Sequence, residues 1–153
     1  WHTRGFSMIY ATQDDFDVAW EFFDTNKEWF PHVRKSHVRN RLEWGQVIIQ
    51  DNVLITQQRY KRTGRIGRDS DVTTKMGDHI IHQIIAKNKG TGEAARVIQE
   101  YFDHVNTDVY LTVRAENVPA NKFYQKIGME RVGYINWSNG KMKGNVWKKA
   151  KGN

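Results

Sequence analysis

The chain has 153 residues, of which 39% are hydrophobic and 27% charged, values typical of a folded domain and not of a disordered segment. It has no cysteine, which excludes disulfides and thiolate metal ligands, and no apolar run near the roughly 20 residues that span a bilayer, so we expect a cytoplasmic protein without a metal or membrane partner. The formal net charge of +7 indicates either a well-solvated surface or a polyanionic partner.

Apolar spacing and turn residues predict a strand, two helices and a hairpin in the first part of the chain. Thr12 and Asp15 match the capping-box pattern at a helix start, and Pro31 separates the two helices. Asp51-Asn52 is a tight-turn pair. The predicted elements are a strand over 8–11, a helix over 14–24, a helix over 36–45 and paired strands over 46–50 and 53–60.

The second part begins with a polar, basic stretch over 61–77, which predicts a long exposed loop with a short strand near 71–75. The elements predicted after it are a strand over 78–86, a helix over 93–105, a strand over 108–114, a helix over 119–127 and strands over 129–137 and 144–148. This order predicts an α/β (α+β) fold with helices on both faces of a mixed sheet, in one domain over 8–150. Residues 1–7 are set apart as an extension whose origin the sequence leaves open.

A glycine-bearing segment connects the strand over 78–86 to the helix over 93–105. Its sequence is Lys87-Asn88-Lys89-Gly90-Thr91-Gly92. Glycines let backbone N–H groups turn toward a ligand, and a helix N-terminus adds roughly half a positive charge. Although most Gly-x-Gly pairs are plain turns, this context predicts a cradle for a phosphate-bearing ligand.

A second segment follows the strand over 108–114 and carries the motif Asn117-x-x-Ala120-x-x-Phe123-Tyr124-x-Lys126-x-Gly128. It resembles the GNAT (N-acetyltransferase) superfamily. The glycine segment is similar to that family's (Arg/Gln)-x-x-Gly-x-(Gly/Ala) pyrophosphate loop, with Lys87 at the first position. The resemblance covers roughly residues 8–148 and implies a mixed, mostly antiparallel central sheet of about six or seven strands.

The resemblance implies acetyl-CoA as the cofactor and transfer of an acetyl group to an amine acceptor as the activity. Backbone N–H groups of 89–93 would hold the pyrophosphate, and the pantetheine arm would run between the strands over 78–86 and 108–114. A backbone N–H near 83–85 would polarise the acetyl carbonyl, and Asn117 would help to hold the arm. The residues implied to bind the cofactor are Gln83, Ile84, Ile85, Lys87, Asn88, Lys89, Gly90, Thr91, Gly92, Glu93, Asn117, Ala120, Phe123 and Tyr124.

The family chemistry implies that Tyr124 protonates the departing CoA thiolate, although a tyrosine beside Phe123 on an apolar helix face is also typical of packing. His82 is the preferred general base because the ordinary pKa of histidine lies near neutrality. Gln83 competes for the same place, since neighbouring side chains of a strand point to opposite faces. Asp78, Glu43 or a water chain are the alternatives.

The resemblance implies that the acceptor binds near the first two helices and the loops around the strands over 53–60 and 78–86. The chain is basic there, so we expect an anionic acceptor or a nucleic acid, with service to the phosphates of CoA alone as the alternative. The chain has three basic clusters. They are His32 to Arg41, Arg59 to Arg68 and Lys141 to Lys151. The expected substrate-binding residues are Trp29, His32, Arg34 and Arg62, whereas Trp44 is expected in the core. The segment 29–34 looks similar, more weakly, to phage-type GNAT proteins, including the Mom-like branch that modifies DNA bases.

Several functions therefore stay open. The main expectation is an acyl-CoA-dependent N-acetyltransferase. A base-modifying enzyme of the same fold and a non-catalytic module that binds CoA or nucleic acid are the alternatives. The acceptor could be a metabolite, a protein lysine or a nucleic acid, and the protein could be a monomer or a homodimer.

Overall fold

The structure is a computed structural model that describes residues 8–152, so the predicted extension over 1–7 lies outside the described residues. The described part of the chain forms four α-helices, which are α1 (Phe16–Asp24), α2 (Lys35–Glu43), α3 (Glu93–Val105) and α4 (Val118–Lys126). Its strands are β1 (Val47–Gln50), β2 (Val53–Arg59), β3 (Gly64–Arg65), β4 (Asp69–Ser70), β5 (Thr73–Thr74), β6 (His79–Ala86), β7 (Val109–Arg114), β8 (Glu130–Trp137) and β9 (Met142–Lys149). A short 3₁₀-helix, Gln13–Asp15, leads into α1.

Within residues 8–152, seven strands form one sheet in the order β1-β2-β6-β7-β9-β8-β4. The pairs β1–β2, β7–β9, β8–β9 and β4–β8 are antiparallel, and β6–β7 is parallel over His79–Ile81 and Val109–Leu111. This mixed, mostly antiparallel sheet confirms the predicted fold class. None of the helices in residues 8–152 has both the length and the apolar character needed to cross a bilayer.

The chain divides into two units. The first extends to Gln57 and includes His82–His104, and the second comprises Gln58–Ile81 and the residues from Val105 onward. The expectation that both units belong to one domain over 8–150 stays a prediction.

The first unit packs α1 and α2 against strand residues. The Thr12 amide donates to Asp15 Oδ2 at 2.8 Å, which is the predicted capping contact and lies at the start of the 3₁₀-helix that leads into α1. The buried side chains of this cluster are Ala11, Phe16, Ala19, Phe22, Phe23, Val38, Leu42, Val47, Leu54 and Ile85. Val38 and Leu42 are the inward residues predicted for α2, and both are buried because they lie four residues apart on one helix face.

The second unit contains β7, β8, β9 and α4, with the short strands β3, β4 and β5. Its buried cluster contains Val72, Tyr110, Ile135 and Val146. The segment 61–77 has more regular structure than the predicted loop with one short strand, because β3 pairs with β5 and β4 pairs with β8.

Two further expectations need correction. The predicted strand over 8–11 is only a bridge between Tyr10 and Ile48, with an Ala11 amide to Val47 carbonyl bond of 2.8 Å. Trp44 was expected in the core but follows the last turn of α2 and is 63% exposed. A short apolar run does not report whether it will find a pairing partner in the sheet, and a single tryptophan at a helix end has no local pattern that reports its burial.

Candidate functional site

The predicted phosphate loop, residues 87–92, has the open conformation that an anion cradle requires. Gly90 and Gly92 have φ angles of +75° and +80°, in the left-handed region that side chains other than glycine rarely adopt. A Cβ atom added at either position would find nothing within 4 Å. Glycine is therefore favoured at both positions by the backbone conformation, and not by a lack of space for a side chain.

The β1–β2 turn holds this loop at both ends. The carbonyl of Asn52 accepts the Lys87 amide at 2.9 Å, and the Asn52 side-chain amide donates to Glu93 Oε2 at 3.2 Å. Arg96, one turn into α3, pairs with Asp51 and Glu100, each at 2.7 Å. The exposed ion pairs contribute little singly, but together these contacts attach the loop and the start of α3 to the same turn.

The first turn of α3 supplies backbone donors. A helix leaves its first N–H groups without partners inside the helix. Here the Glu93 amide donates to Thr91 Oγ1 at 3.3 Å and the Arg96 amide to the Gly92 carbonyl at 3.1 Å. The amides of Ala94 and Ala95 have no acceptor among residues 8–152. The helix start thus combines available donors with the positive end of the helix dipole.

An open recess of about 410 Å³ lies at this helix start. Its lining residues are Asn88, Thr91, Gly92, Glu93 and Arg96. This volume falls within the range of about 300 to 1,000 Å³ that is usual for small-molecule sites, so the recess has room for a diphosphate.

Lys87 differs from the other loop residues predicted to bind the cofactor. Its ammonium lies 3.8 Å from Glu21 and 4.9 Å from the ring centroid of Phe22, both on α1. Its amide is bonded to Asn52. Both groups of Lys87 are therefore used within the protein, whereas Lys89 is exposed in the loop.

Strand β6 places its predicted residues on opposite faces. Ile85 is buried in the cluster of α1 and α2, and Gln83 accepts a hydrogen bond from Thr56 Oγ1 at 2.6 Å. By strand alternation, Gln83 and Ile85 share this face and His82 and Ile84 share the other. The competition between His82 and Gln83 that the sequence predicts is thus a competition between two faces of one strand.

His82 is a weaker base than its residue type suggests. Although the residue is exposed, removal of water by surrounding protein atoms, aided by the positive charge of Arg41, lowers the pKa of His82 to about 4. The imidazole is neutral at pH 7 and accepts a proton less readily than an ordinary histidine. The near-neutral pKa for which the sequence analysis preferred His82 is therefore not the pKa that the folded protein gives it.

In the second unit, Tyr124 lies on α4 beside two aromatic rings. Its ring centroid is 5.7 Å from that of Phe123 and 6.5 Å from that of Trp147. Burial raises the pKa of Tyr124, so its hydroxyl stays protonated at neutral pH. The residue has both properties that the sequence left as alternatives, since it packs against aromatics and retains a proton to donate.

Polar contacts hold α4 in place. Asn117 caps the helix by accepting the Ala120 amide at 3.2 Å. Asn121 Oδ1 accepts from Asn145 and from the indole of Trp147, each at 2.9 Å, and its amide donates to the carbonyls of Arg114 and Asn117. Sequence reasoning missed Asn121, for which the available signal was a poor helix former inside the family motif.

The predicted substrate-binding residues are exposed but fall in different units. Trp29, 64% exposed, His32 and Arg34 belong to the connection between α1 and α2 in the first unit. Arg62 belongs to the basic segment 59–68 of the second unit, whose cations Arg59, Lys61, Arg62, Arg65 and Arg68 are all exposed. None of these five makes an ion pair within residues 8–152.

Comparison with solved structures shows which fold these elements form. An acetyltransferase of the GNAT family from Streptococcus agalactiae 2603 has a TM-score of 0.75 at 14% identity, with 99% of each chain covered. A probable acetyltransferase from Staphylococcus epidermidis ATCC 12228 has a TM-score of 0.66 at 15% identity, covering 94% of this chain and 97% of that one. NAA60 from Arabidopsis thaliana, solved in complex with acetyl-CoA, has a TM-score of 0.61 at 13% identity, covering 94% and 98%.

No protein-family model and no curated protein matches the chain. The likeness lies in the structure, at sequence identities that carry the fold alone. The structural matches extend over nearly the full length of this chain and of each of these neighbours. The chain therefore has the fold of the GNAT acetyltransferases.

Proposed function

We propose that this protein is an acyl-CoA-dependent N-acetyltransferase that uses acetyl-CoA and an amine acceptor. The observation that carries the proposal is the open glycine loop at the start of α3, where backbone donors and the helix dipole favour a diphosphate. The GNAT fold supports it, as does the solved complex of one structural neighbour with acetyl-CoA.

In this proposal the pyrophosphate binds backbone amides between Lys89 and Ala95, with Asn88 and Thr91 beside it. Lys87 is left out, because its ammonium and its amide already have partners in the protein. The backbone near 83–85 accepts the remainder of the cofactor. Bound acetyl-CoA supplies the activated acetyl group.

The reaction moves one acetyl group and two protons. The acceptor ammonium first gives a proton to a base. Its nitrogen lone pair then attacks the thioester carbon, the C–S bond breaks, and the sulfur takes a proton from the Tyr124 hydroxyl. The nitrogen loses its second proton, which restores the Tyr124 phenol directly or through water, and the products are the neutral amide and the CoA thiol. A phenol whose pKa is raised by burial remains protonated until the thiolate forms. His82 or a water relay takes the ammonium proton.

The glycine loop gives the first test. Alanine at a φ of +80° costs about 1 to 2 kcal/mol, so in Gly92→Ala the free loop should shift to other conformations and acetyl-CoA binding should weaken about 10-fold in calorimetry. Gly45→Ala is the matched control, because Gly45 also has a positive φ and open space but lies after α2. Absence of binding heat with wild-type protein, or equal weakening by both variants, would contradict the proposal.

Tyr124 gives the second test. Tyr124→Phe removes the proton donor and keeps the ring, so we expect kcat to fall about 100-fold while the KM for acetyl-CoA stays within about two-fold. Tyr134→Phe, which alters an exposed tyrosine, should change neither value. Thiol release by wild type with an unchanged Tyr124→Phe rate would remove Tyr124 from the mechanism. Binding of CoA with no transfer to any amine would support a non-catalytic module instead.

The protonation of His82 gives a third test. Loss of hydration and the Arg41 charge both disfavour the imidazolium, so in a ¹⁵N NMR titration the ring should protonate only as the pH falls toward about 4. Since the unfolded pKa is about 6.5, this histidine lowers stability as the pH falls between those values. Arg41→Gln should shift the titration to higher pH. A titration near 6.5 in both proteins would refute the assigned causes.

An acceptor carried on a nucleic acid is the second candidate, favoured by the exposed cations of 59–68, which have no ion pair with any residue of 8–152. Arg62→Ala should weaken binding to a duplex oligonucleotide and reduce the slope of log K against log salt concentration by about 1. Lys27→Ala is the control, since Lys27 is paired with Asp24 at 3.1 Å. An oligonucleotide that does not bind at low salt would exclude this candidate.

A further inference from the structure

A second recess lies within the first unit, beside α1, α2 and β6. Its lining residues are Phe23, Val33, His37, Val38, Arg41 and Gln83. Its volume is about 100 Å³, which is small beside ligand pockets of about 300 Å³ or more and equals about three water molecules. It can admit one small chemical group and not a whole nucleotide.

Arg41 gives this recess its charge. The side chain is partly buried, and its guanidinium donates to Gln46 Oε1 at 3.0 Å. It has no carboxylate partner among residues 8–152, and burial lowers its pKa. Charges removed from water are normally paired, and a guanidinium has five N–H donors, so Arg41 retains donors that call for an anion.

The other polar groups of the recess are also donors. Gln83 Oε1 is occupied by the Thr56 hydroxyl at 2.6 Å, which leaves its NH₂ group to the recess. His37 Nδ1 accepts the Arg34 amide at 3.1 Å, so the neutral ring carries its proton on Nε2. The remaining walls are apolar. The chemical group that enters this recess is therefore expected to be a hydrogen-bond acceptor.

We propose that this recess binds a carboxylate carried by the amine acceptor, an inference that rests on the proposed acetyltransfer. Arg41 is the one arginine or lysine among the lining residues named above and matches a monoanion, and its planar guanidinium fits a carboxylate in bidentate fashion. A phosphate would bring nearly two negative charges to one positive charge. The walls of Phe23, Val33 and Val38 suit the methylene next to the carboxylate.

The direct test compares acceptors that differ in one group. Rates of thiol release with acetyl-CoA are measured for a series of ω-amino carboxylates, the matching ω-amino carboxamides and ω-amino phosphonates. We expect the best carboxylate to exceed its carboxamide by about 10- to 100-fold in kcat/KM, and Arg41→Gln to remove this preference. Arg131→Gln is the control, because Arg131 is exposed and bonded to the amide oxygen of Asn145, and it should keep the preference.

A second measurement separates failure of this inference from failure of the proposed function. The Arg41 Nε resonance is followed in ¹⁵N NMR while 4-aminobutanoate or 4-aminobutanamide is added to wild-type protein without CoA. A saturable shift with the carboxylate alone supports the recess even if no amine is acetylated. Equal rates and equal shifts for carboxylate and carboxamide would overturn it, and a stronger response to the phosphonate would replace the carboxylate by a phosphate group.

Discussion

The candidate site depends on the attachment of the glycine loop to the β1–β2 turn. One residue, Asn52, accepts from the first loop residue and donates to the first residue of α3, while Asp51 holds Arg96. A loop with two left-handed glycines has many conformations available, and these contacts select one of them before any ligand arrives. The energy that would otherwise order the loop is then available for ligand binding.

Charge is distributed unevenly over the protein. Some cations form ion pairs that join different parts of the fold. Arg96 pairs with Asp51, and Lys148 pairs with Asp108 at 3.5 Å. The cations of 59–68 and the guanidinium of Arg41 lack such partners among residues 8–152. The former lie in water, where an unpaired charge costs little. Arg41 is partly buried, where it costs more, so the two groups have different implications for ligands.

Sequence reasoning succeeded where the signal was local. The apolar period of α1 and α3, the Asp51-Asn52 turn and the glycine loop each lie within a few residues, and the structure has all of them. It did not find features that need distant partners. The two-residue strand β4 forms by pairing with β8, which lies more than 60 residues away in the sequence. The role of Asn121 in holding α4 follows from the hydrogen bonds that its side-chain oxygen accepts from Asn145 and Trp147. The lowered pKa of His82 likewise depends on burial by surrounding protein atoms and on the charge of Arg41, neither of which a spacing rule connects to it.

Helix α4, which carries Tyr124, is held in place mainly by polar contacts. None of its residues, Val118–Lys126, is fully buried, so little hydrophobic free energy secures it. Its position relies on the four hydrogen bonds of one amide, that of Asn121. Water can replace such bonds one at a time, and elements with few buried contacts open before the core does. In hydrogen exchange, α4 would then belong to the least protected helices of the described residues.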